Sequence, residues 1–187
     1  MPFSSLKVKA EYRSLTDNIV KEFYIPFLNE AIVYKRAVGF FSSSALSEIS
    51  KGMNGLLKNN GTMQLVASPY LSEEDLEAIQ IGYDNKKAII EKSLINSLQN
   101  PRNYFEEERL NILAHLIAEG KLNIKIAILE KNRSIGIYHE KLGLFYDREG
   151  NTVAFAGSMN ESSTAMNFNY ESIDVFCSWQ NNNDADR

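Results

Sequence analysis

The chain has 187 residues, 44% of them hydrophobic, and a formal net charge of −4 at pH 7. This length and apolar content predict one domain with a buried core rather than two very small ones. The negative charge argues against a protein that coats nucleic acid by bulk electrostatics, which needs many Lys and Arg, but it allows a local basic groove. The single cysteine, Cys177, excludes an internal disulfide and a cysteine-based zinc site, and two histidines in total argue against a histidine-rich metal centre.

Neither a membrane segment nor an export signal is indicated. No apolar run approaches the ~20 residues needed to cross a bilayer, and residues 1–10 lack the apolar core of a signal peptide. We therefore expect no membrane partner and a location in a reducing cytoplasm.

The N-terminal third is predicted to form a helix and then a β-α-β unit. Apolar residues at spacings of three and four indicate a helix over residues 19–32, which Pro26 is expected to interrupt or kink. A strand over residues 34–41, a helix over residues 42–57 that begins at three serines, and a strand over residues 62–68 follow.

Two more helices and another strand are predicted before the last third of the chain. The helices span residues 72–98 and residues 104–118. We expect His115, on the second of them, at the surface or at the edge of the core. Strict alternation then predicts a strand over residues 122–129.

The last third is predicted to contain a β-hairpin and one further strand. Two apolar runs, residues 138–147 and 152–160, flank a polar turn with a glycine in it. A last strand is predicted over residues 170–179, and the polar tail, residues 180–187, is interpreted as disordered or as the start of a linker. Residues 1–179 are therefore expected to form a single domain.

The order of these elements predicts an α/β fold, a mixed β-sheet flanked by helices, because β-α-β units come early and antiparallel strands late. Active groups in such sheets gather at strand ends. His139 and Lys141 are expected on one face of the first hairpin strand, and Ser158 and Asn160 on one face where the second strand ends. An imidazole, an ammonium, a hydroxyl and an amide at one end of a hairpin suit an anionic ligand with a nucleophile beside it.

The hairpin resembles the H-x-K…G-S-x-N signature of the phospholipase D superfamily. The matching segments are His139-Glu140-Lys141 and Gly157-Ser158-Met159-Asn160. The closer similarity is to a nuclease branch that includes BfiI-type restriction endonucleases. In that branch a His, a Lys, an Asn on the next strand and a Glu on the strand after it form the site, and Glu171 matches that glutamate. The resemblance is specific over residues 137–176 and topological over residues 1–136.

Asp147 departs from the family pattern. The family's usual aspartate follows the lysine by five residues, whereas Asp147 follows Lys141 by six and lies in the polar turn. We therefore interpret Asp147 as a turn residue.

The side chains themselves indicate phosphoryl chemistry. A neutral imidazole is a competent nucleophile near pH 7, and a carboxylate on its other nitrogen, here Glu171 beside His139, would fix the tautomer and stabilise the cation. Lys141, Asn160 and Ser158 supply a charge and donors for the phosphate oxygens. No metal or other cofactor is then required. The resemblance implies a phosphohistidine intermediate, with a second histidine that protonates the leaving oxygen.

Because the chain carries one such motif and a family site uses two, the resemblance implies a homodimer whose two His139 residues meet at the two-fold axis. The alternative is a second half-site in a segment absent from this chain. The expected activity is that of a metal-independent phosphodiesterase, an endonuclease acting on nucleic acid, with DNA as the favoured substrate. The family also suggests a module of a restriction or phage-defence system, fused to or associated with a helicase.

Two other readings remain open. The same fold can serve as a catalytically inactive dimerisation or nucleic-acid-docking module, which the departure at Asp147 favours. A phosphatidyl-transferring enzyme is the third reading, and the lack of a membrane-binding amphipathic segment argues against it.

The remaining prominent side chains are interpreted as structural. The aromatic side chains are expected mainly in the core rather than as base-stacking groups; they are Phe40, Phe41, Phe155, Phe168, Tyr170 and Trp179. The basic pairs Lys35-Arg36 and Lys86-Lys87 are expected on the solvated surface rather than at a DNA interface.

Overall fold

The computed structural model describes residues 1–68, 81, 104–127, 129–131, 134–136 and 138–180. Most of the predicted helix over residues 72–98, the pair Lys86-Lys87 and the tail from residue 181 onward lie outside the described residues. The extent of the predicted single domain stays a prediction.

Seven of the nine described strands form one mixed sheet. The strands are β1 (Glu11–Arg13), β2 (Val33–Val38), β3 (Thr62–Ala67), β4 (Leu122–Ile126), β5 (Leu129–Lys131), β6 (Ser134–Gly136), β7 (Lys141–Tyr146), β8 (Thr152–Gly157) and β9 (Ser172–Cys177). The sheet order is β1-β9-β8-β7-β2-β3-β4, and β5 and β6 form a separate two-stranded ribbon. β2, β3 and β4 are parallel neighbours, and the other pairs of the large sheet are antiparallel.

Among the helices in the described ranges, all but one are short. A 3-10 turn (Phe3–Ser5) opens the chain, and a π-helical turn (Val20–Tyr24) continues into α1 (Ile25–Glu30). The others are α2 (Ser44–Glu48), α3 (Ser50–Lys58), α4 (Tyr104–Ala118) and α5 (Ser163–Asn167). The α/β fold predicted from the order of elements is confirmed.

Three local expectations were only partly right. Pro26 does not end the helical segment, because it lies in the first turn of α1, directly after the π-helical turn, where proline is tolerated. The predicted helix over residues 42–57 is divided in two at Ile49, whose ψ of 12° departs from helical geometry. The predicted strand over residues 122–129 ends as a sheet strand at Ile126.

Aromatic rings fill the core against one face of the sheet. Phe145 on β7 stacks between Tyr34 on β2 and Phe155 on β8, at centroid distances of 4.7 and 5.3 Å. Phe23, from the π-helical turn, meets Phe155 edge-on at 5.0 Å. Gly143 makes room for this packing, because a Cβ there would lie 2.0 Å from the Phe155 ring. The core predictions for Phe41 and Phe155 are confirmed, since both are fully buried.

Asp147 lies at the sheet edge where β7 ends. Its carboxylate accepts hydrogen bonds from the backbone N–H groups of Phe3, Glu149 and Asn151 at 2.8, 2.9 and 2.8 Å. It therefore closes the hairpin turn and ties the N-terminus to it. The interpretation of Asp147 as a turn residue is confirmed.

Candidate active site

The register of the sheet gathers the predicted site residues at the edge opposite Asp147. Val38, the last residue of β2, lies opposite Lys141, the first residue of β7. Gly157, the last residue of β8, lies opposite Ile173 near the start of β9. β7 and β9 begin at this edge, whereas β2 and β8 end there. The residues just before β7 and β9 therefore lie near the residues just after β2 and β8.

His139 and Lys141 are in direct contact. Lys141 Nζ lies 3.2 Å from His139 Nε2 and 3.3 Å from the His139 carbonyl oxygen. An ammonium has only donors, so Nε2 must accept in this contact, and the proton of a neutral imidazole then lies on Nδ1. His139 lies before β7 rather than on it, and its side chain is exposed.

Gly39, directly after β2, brings the chain close to the His139 ring. A Cβ at this position would lie 3.1 Å from the Tyr138 carbonyl oxygen, 3.2 Å from His139 Cα and 3.3 Å from His139 Cδ2. These distances are shorter than ordinary carbon contacts. Gly39 is thus part of the surface on which the imidazole rests, a role that the sequence patterns did not indicate.

The pKa of Lys141 is lower than that of a lysine in water. Partial burial lowers the pKa of Lys141, and the positive charge of Arg36 lowers it further. The carboxylates of Glu171 and Glu140 act in the opposite direction without cancelling this effect.

Asn160 is held by its side-chain carbonyl. Asn160 Oδ1 accepts a hydrogen bond from the Phe40 backbone N–H at 3.1 Å. Its Nδ2 group, which can donate two hydrogen bonds, has no hydrogen-bond partner among the described residues. Asn160 therefore has a fixed acceptor side and an open donor side.

Ser158 and Glu171 are bonded to each other. The Ser158 hydroxyl donates to Glu171 Oε2 and accepts from the Ser172 backbone N–H at 3.1 Å. Asn169 Nδ2 donates to Glu171 Oε1 at 3.2 Å. No hydrogen bond joins Glu171 to His139 in the described part of the chain, so the expected His139–Glu171 pair stays a prediction.

β1, which the sequence patterns did not predict, supports Glu171 from the other side. It pairs with β9 in antiparallel register, Arg13 opposite Ser172. Ser14, the next residue, donates its N–H to the Glu171 carbonyl oxygen and accepts the Glu171 N–H at its hydroxyl, both at 2.9 Å. Glu171 is only 5% exposed, so this side chain is buried in spite of its charge.

Arg36 corrects one prediction directly. It was expected on the solvated surface beside Lys35, but its side chain is buried and its Nε donates to Glu161 Oε2 at 2.8 Å. Lys35 is exposed, as expected. Alternation along β2 is the signal that separates the two, because Tyr34 and Val38, which share the face of Arg36, are both apolar and buried.

Several aromatic side chains that were expected in the core are exposed instead. Phe40, Phe168 and Tyr170 are 42, 81 and 56% exposed. They lie in the loops beyond β2 and before β9 rather than on the strands that face the core. Trp179 is partly buried against the core. His115 is half-buried at the edge of the core, one of the two expected positions, and its Nε2 lies 3.3 Å from Glu119 Oε1.

Two absences hold within the ranges that the structure describes. No group of three or more His, Cys, Asp or Glu side chains there is arranged to hold a metal ion. None of the helices in those same ranges is long and apolar enough to cross a membrane.

Comparison of the whole fold with known proteins places it in a known architecture. No protein-family model and no curated protein matches the sequence. NucT from Helicobacter pylori matches the structure with a TM-score of 0.53 and 14% sequence identity, over 88% of this chain and 82% of NucT. The chain has a phospholipase D-like fold. The fold expected from the hairpin motif is thereby confirmed.

Two further solved structures match less closely. The phospholipase D family member Nuc from Salmonella typhimurium matches with a TM-score of 0.46 and 14% identity, over 88% of this chain and 79% of Nuc. Yeast tyrosyl-DNA phosphodiesterase matches with a TM-score of 0.42 and 10% identity, over 79% of this chain and 26% of that protein. The chain thus matches about a quarter of the length of the yeast enzyme.

Proposed function

We propose that this phospholipase D-like domain is a metal-independent phosphodiesterase, an endonuclease that cleaves nucleic acid, with DNA as the favoured substrate. The observation that carries the proposal is the contact of 3.2 Å between His139 Nε2 and Lys141 Nζ at the same sheet edge as Asn160. A nucleophile, a cation and a free amide donor at one edge suit an anionic phosphodiester.

The proposed reaction has two steps. The lone pair of His139 Nε2 attacks phosphorus, a P–N bond forms, the P–O bond to the leaving group breaks and the leaving oxygen takes a proton. Water then attacks the phosphohistidine and gives its proton to the histidine that protonated the leaving oxygen; the P–N bond breaks, which releases His139 and the second product. The Lys141 ammonium and the Asn160 amide stabilise the charge that develops on the non-bridging oxygens.

Glu171 is proposed to orient His139 through Nδ1. The tautomer that the Lys141 contact requires has its proton on Nδ1, which is the nitrogen that a carboxylate would hold. In the structure the Glu171 carboxylate is bonded to Ser158 and Asn169, so the pairing requires a change of side-chain partners. Once released from Glu171, the Ser158 hydroxyl can donate to a phosphate oxygen.

The proton for the leaving oxygen is proposed to come from the partner subunit's His139 in a homodimer. The only other histidine of this chain, His115, is on α4 and paired with Glu119. We therefore assign the second general acid to a second copy of the chain.

The biological setting follows from the resemblance alone. We place the domain in the cytoplasm, as the nuclease module of a restriction or phage-defence system that is fused to or associated with a helicase. The net charge of −4 fits a module whose affinity for DNA comes from another domain or subunit.

The test is cleavage of plasmid and single-stranded DNA in EDTA by the wild type, His139→Ala and His115→Ala. We expect activity in EDTA, a loss of about 10³-fold or more in His139→Ala, and unchanged activity in the matched control His115→Ala. Activity that requires magnesium, or that survives His139→Ala, contradicts the mechanism.

A non-catalytic docking or dimerisation module is the second candidate. The bond between Ser158 and Glu171, which leaves His139 without a carboxylate partner among the described residues, favours it. A phosphodiester substrate incubated with the protein and quenched in alkali distinguishes the two, because only the enzyme accumulates an alkali-stable phosphohistidine.

A further inference from the structure

A charged pair that the proposed mechanism does not use lies directly beneath the candidate site. Arg36 is 3% exposed and Glu161 is fully buried. Arg36 Nε donates to Glu161 Oε2 at 2.8 Å, and the hydroxyl groups of Tyr34 and Tyr24 lie 3.0 and 3.5 Å from the same carboxylate. The Arg36 guanidinium also lies over the Phe155 ring, 5.0 Å from its centroid.

Burial of this pair is not explained by stability alone. The desolvation of two charges opposes their attraction, so a buried ion pair can often be replaced by apolar side chains of similar volume at no loss of stability. Two observations instead connect the pair to the site. Glu161 follows Asn160 directly in the chain, and Arg36 lies on the same face of the sheet as Lys141.

Hydrogen bonds made by Arg36 and Glu161 hold the backbone of the chain before and after Asn160. The Arg36 guanidinium donates to the carbonyl oxygen of Met159, the residue before Asn160. After Asn160, the Glu161 N–H donates to the Phe40 carbonyl oxygen at 3.3 Å, and the Glu161 carbonyl oxygen accepts from the Ser42 N–H at 2.9 Å. The chain on either side of Asn160 is thus bonded to Arg36 or to the segment after β2.

We propose that Arg36 and Glu161 are positioning residues that hold Asn160 with its Oδ1 on the Phe40 N–H and its Nδ2 toward the substrate phosphate. The Arg36 side chain bonds Met159 and Glu161 to β2, and this fixes the Glu161 backbone where it bonds to the residues after β2. The role of Nδ2 rests on the proposed function, whereas the placement of Oδ1 does not.

The test is amide hydrogen exchange by NMR in the double variant Arg36→Met/Glu161→Leu, which removes both charges and keeps most of the volume. We expect exchange at the Phe40 amide to rise by about tenfold or more, because Asn160 Oδ1 no longer holds this N–H. The amide of Phe145, in the centre of the sheet, is the internal reference and should keep its protection. Asn160→Ala is the control that gives the exchange rate without the acceptor.

A second variant keeps the test decisive if the double variant fails to fold. Glu161→Gln retains the volume and one acceptor oxygen but removes the charge, and we expect its Phe40 exchange to rise in the same direction by about threefold. Unchanged Phe40 protection in a folded variant overturns the proposal, since Asn160 would then be held without the pair.

Cleavage kinetics test the role of Asn160 Nδ2 separately from the placement of Oδ1. A positioning role predicts that kcat of the folded variant falls about 10- to 100-fold while KM changes by less than about twofold, because the donor is misplaced in the transition state. A wild-type kcat with fast Phe40 exchange overturns the functional half of the proposal. If the wild type itself cleaves nothing, the proposed nuclease function fails, and the exchange experiment still decides the placement of Asn160.

Discussion

Asp147 and Glu171 illustrate how single carboxylates acquire different roles at the two edges of one sheet. Glu171 lies at the site edge, bonded to Ser158 and Asn169. Asp147 lies at the opposite edge, where one of its carboxylate oxygens accepts a hydrogen bond from the Phe3 backbone N–H. Burial alone would raise the pKa of Asp147, but the hydrogen bonds that its carboxylate accepts outweigh burial and hold the pKa below the ordinary value of 3.8.

We predict that Asp147→Asn lowers the free energy of unfolding at pH 7 by about 1–3 kcal/mol, because buried N–H donors lose a charged acceptor. A depressed pKa contributes stability above the unfolded value of about 3.9, and this stability is lost as pH falls through the folded value. The difference between wild type and variant should therefore shrink below about pH 4. Urea unfolding at pH 7 and pH 3 measures it.

Glu149→Gln is the matched control for Asp147→Asn. Glu149 lies in the same turn with an exposed side chain, so its substitution should leave the free energy of unfolding within about 0.5 kcal/mol. Equal stability of Asp147→Asn and the wild type at pH 7 would contradict the role of Asp147 as the anchor of the turn.

At the scale of elements, the site depends on how closely the loop after β2 approaches the residues before β7. Gly39 sits at this approach, and its missing side chain leaves the space that His139 occupies. The loop also supplies the Phe40 N–H that holds Asn160. One short segment thus contacts both the proposed nucleophile and the proposed donor.

We predict that Gly39→Ala reduces kcat about tenfold with little change in melting temperature. The added Cβ would lie 3.2 Å from His139 Cα, so His139 must move by a few tenths of an ångström. Small displacements of a reacting group lower the rate much more than they lower stability. Steady-state cleavage kinetics and thermal unfolding measure the two effects.

Gly150→Ala should lower stability and leave the cleavage rate unchanged, which is the opposite of the effect expected for Gly39→Ala. Gly150 has a φ of +82° in the hairpin turn, and no described atom lies within 4 Å of the position that an added Cβ would take. Alanine there costs about 1–2 kcal/mol of backbone strain far from the site. Its cleavage rate should equal that of the wild type at temperatures where it is folded.

A wild-type cleavage rate in Gly39→Ala would contradict the prediction for Gly39, since the position of His139 would then tolerate the added methyl group.

At the scale of the whole molecule, the main consequence of one motif per chain is that a complete site is proposed to need two copies. We predict that equal amounts of wild type and His139→Ala, exchanged to equilibrium, retain about one quarter of the activity of the wild type alone at the same total concentration. Independent sites would retain about one half. Titration of the variant into the wild type at constant total concentration measures the dependence.

The same titration with His115→Ala is the control, because this substitution leaves His139 intact on both chains. Its mixtures should keep the full activity at every ratio. A linear loss with His139→Ala would contradict a shared site and favour a site that one chain completes by itself.

Local sequence patterns were sufficient to predict most of the elements and the site edge. β2, β3, β7, β8 and β9 were predicted because alternation and apolar runs report burial over five or six consecutive residues. The motif spacing placed Lys141 and Asn160 at strand ends, where the structure brings them to one edge. The turn role of Asp147 also followed from spacing alone.

Tertiary structure decided the features whose partners are remote in the chain. β1 has three residues, too few for a periodic signal, and exists through its pairing with β9. In the sequence Arg36 resembles one member of a solvated basic pair, whereas in the fold it forms a buried ion pair with Glu161. Alternation in sequence thus determines which face a side chain occupies, but only long-range packing determines whether that face is covered and which charge meets it there, because burial and electrostatic pairing are properties of contacts between distant segments.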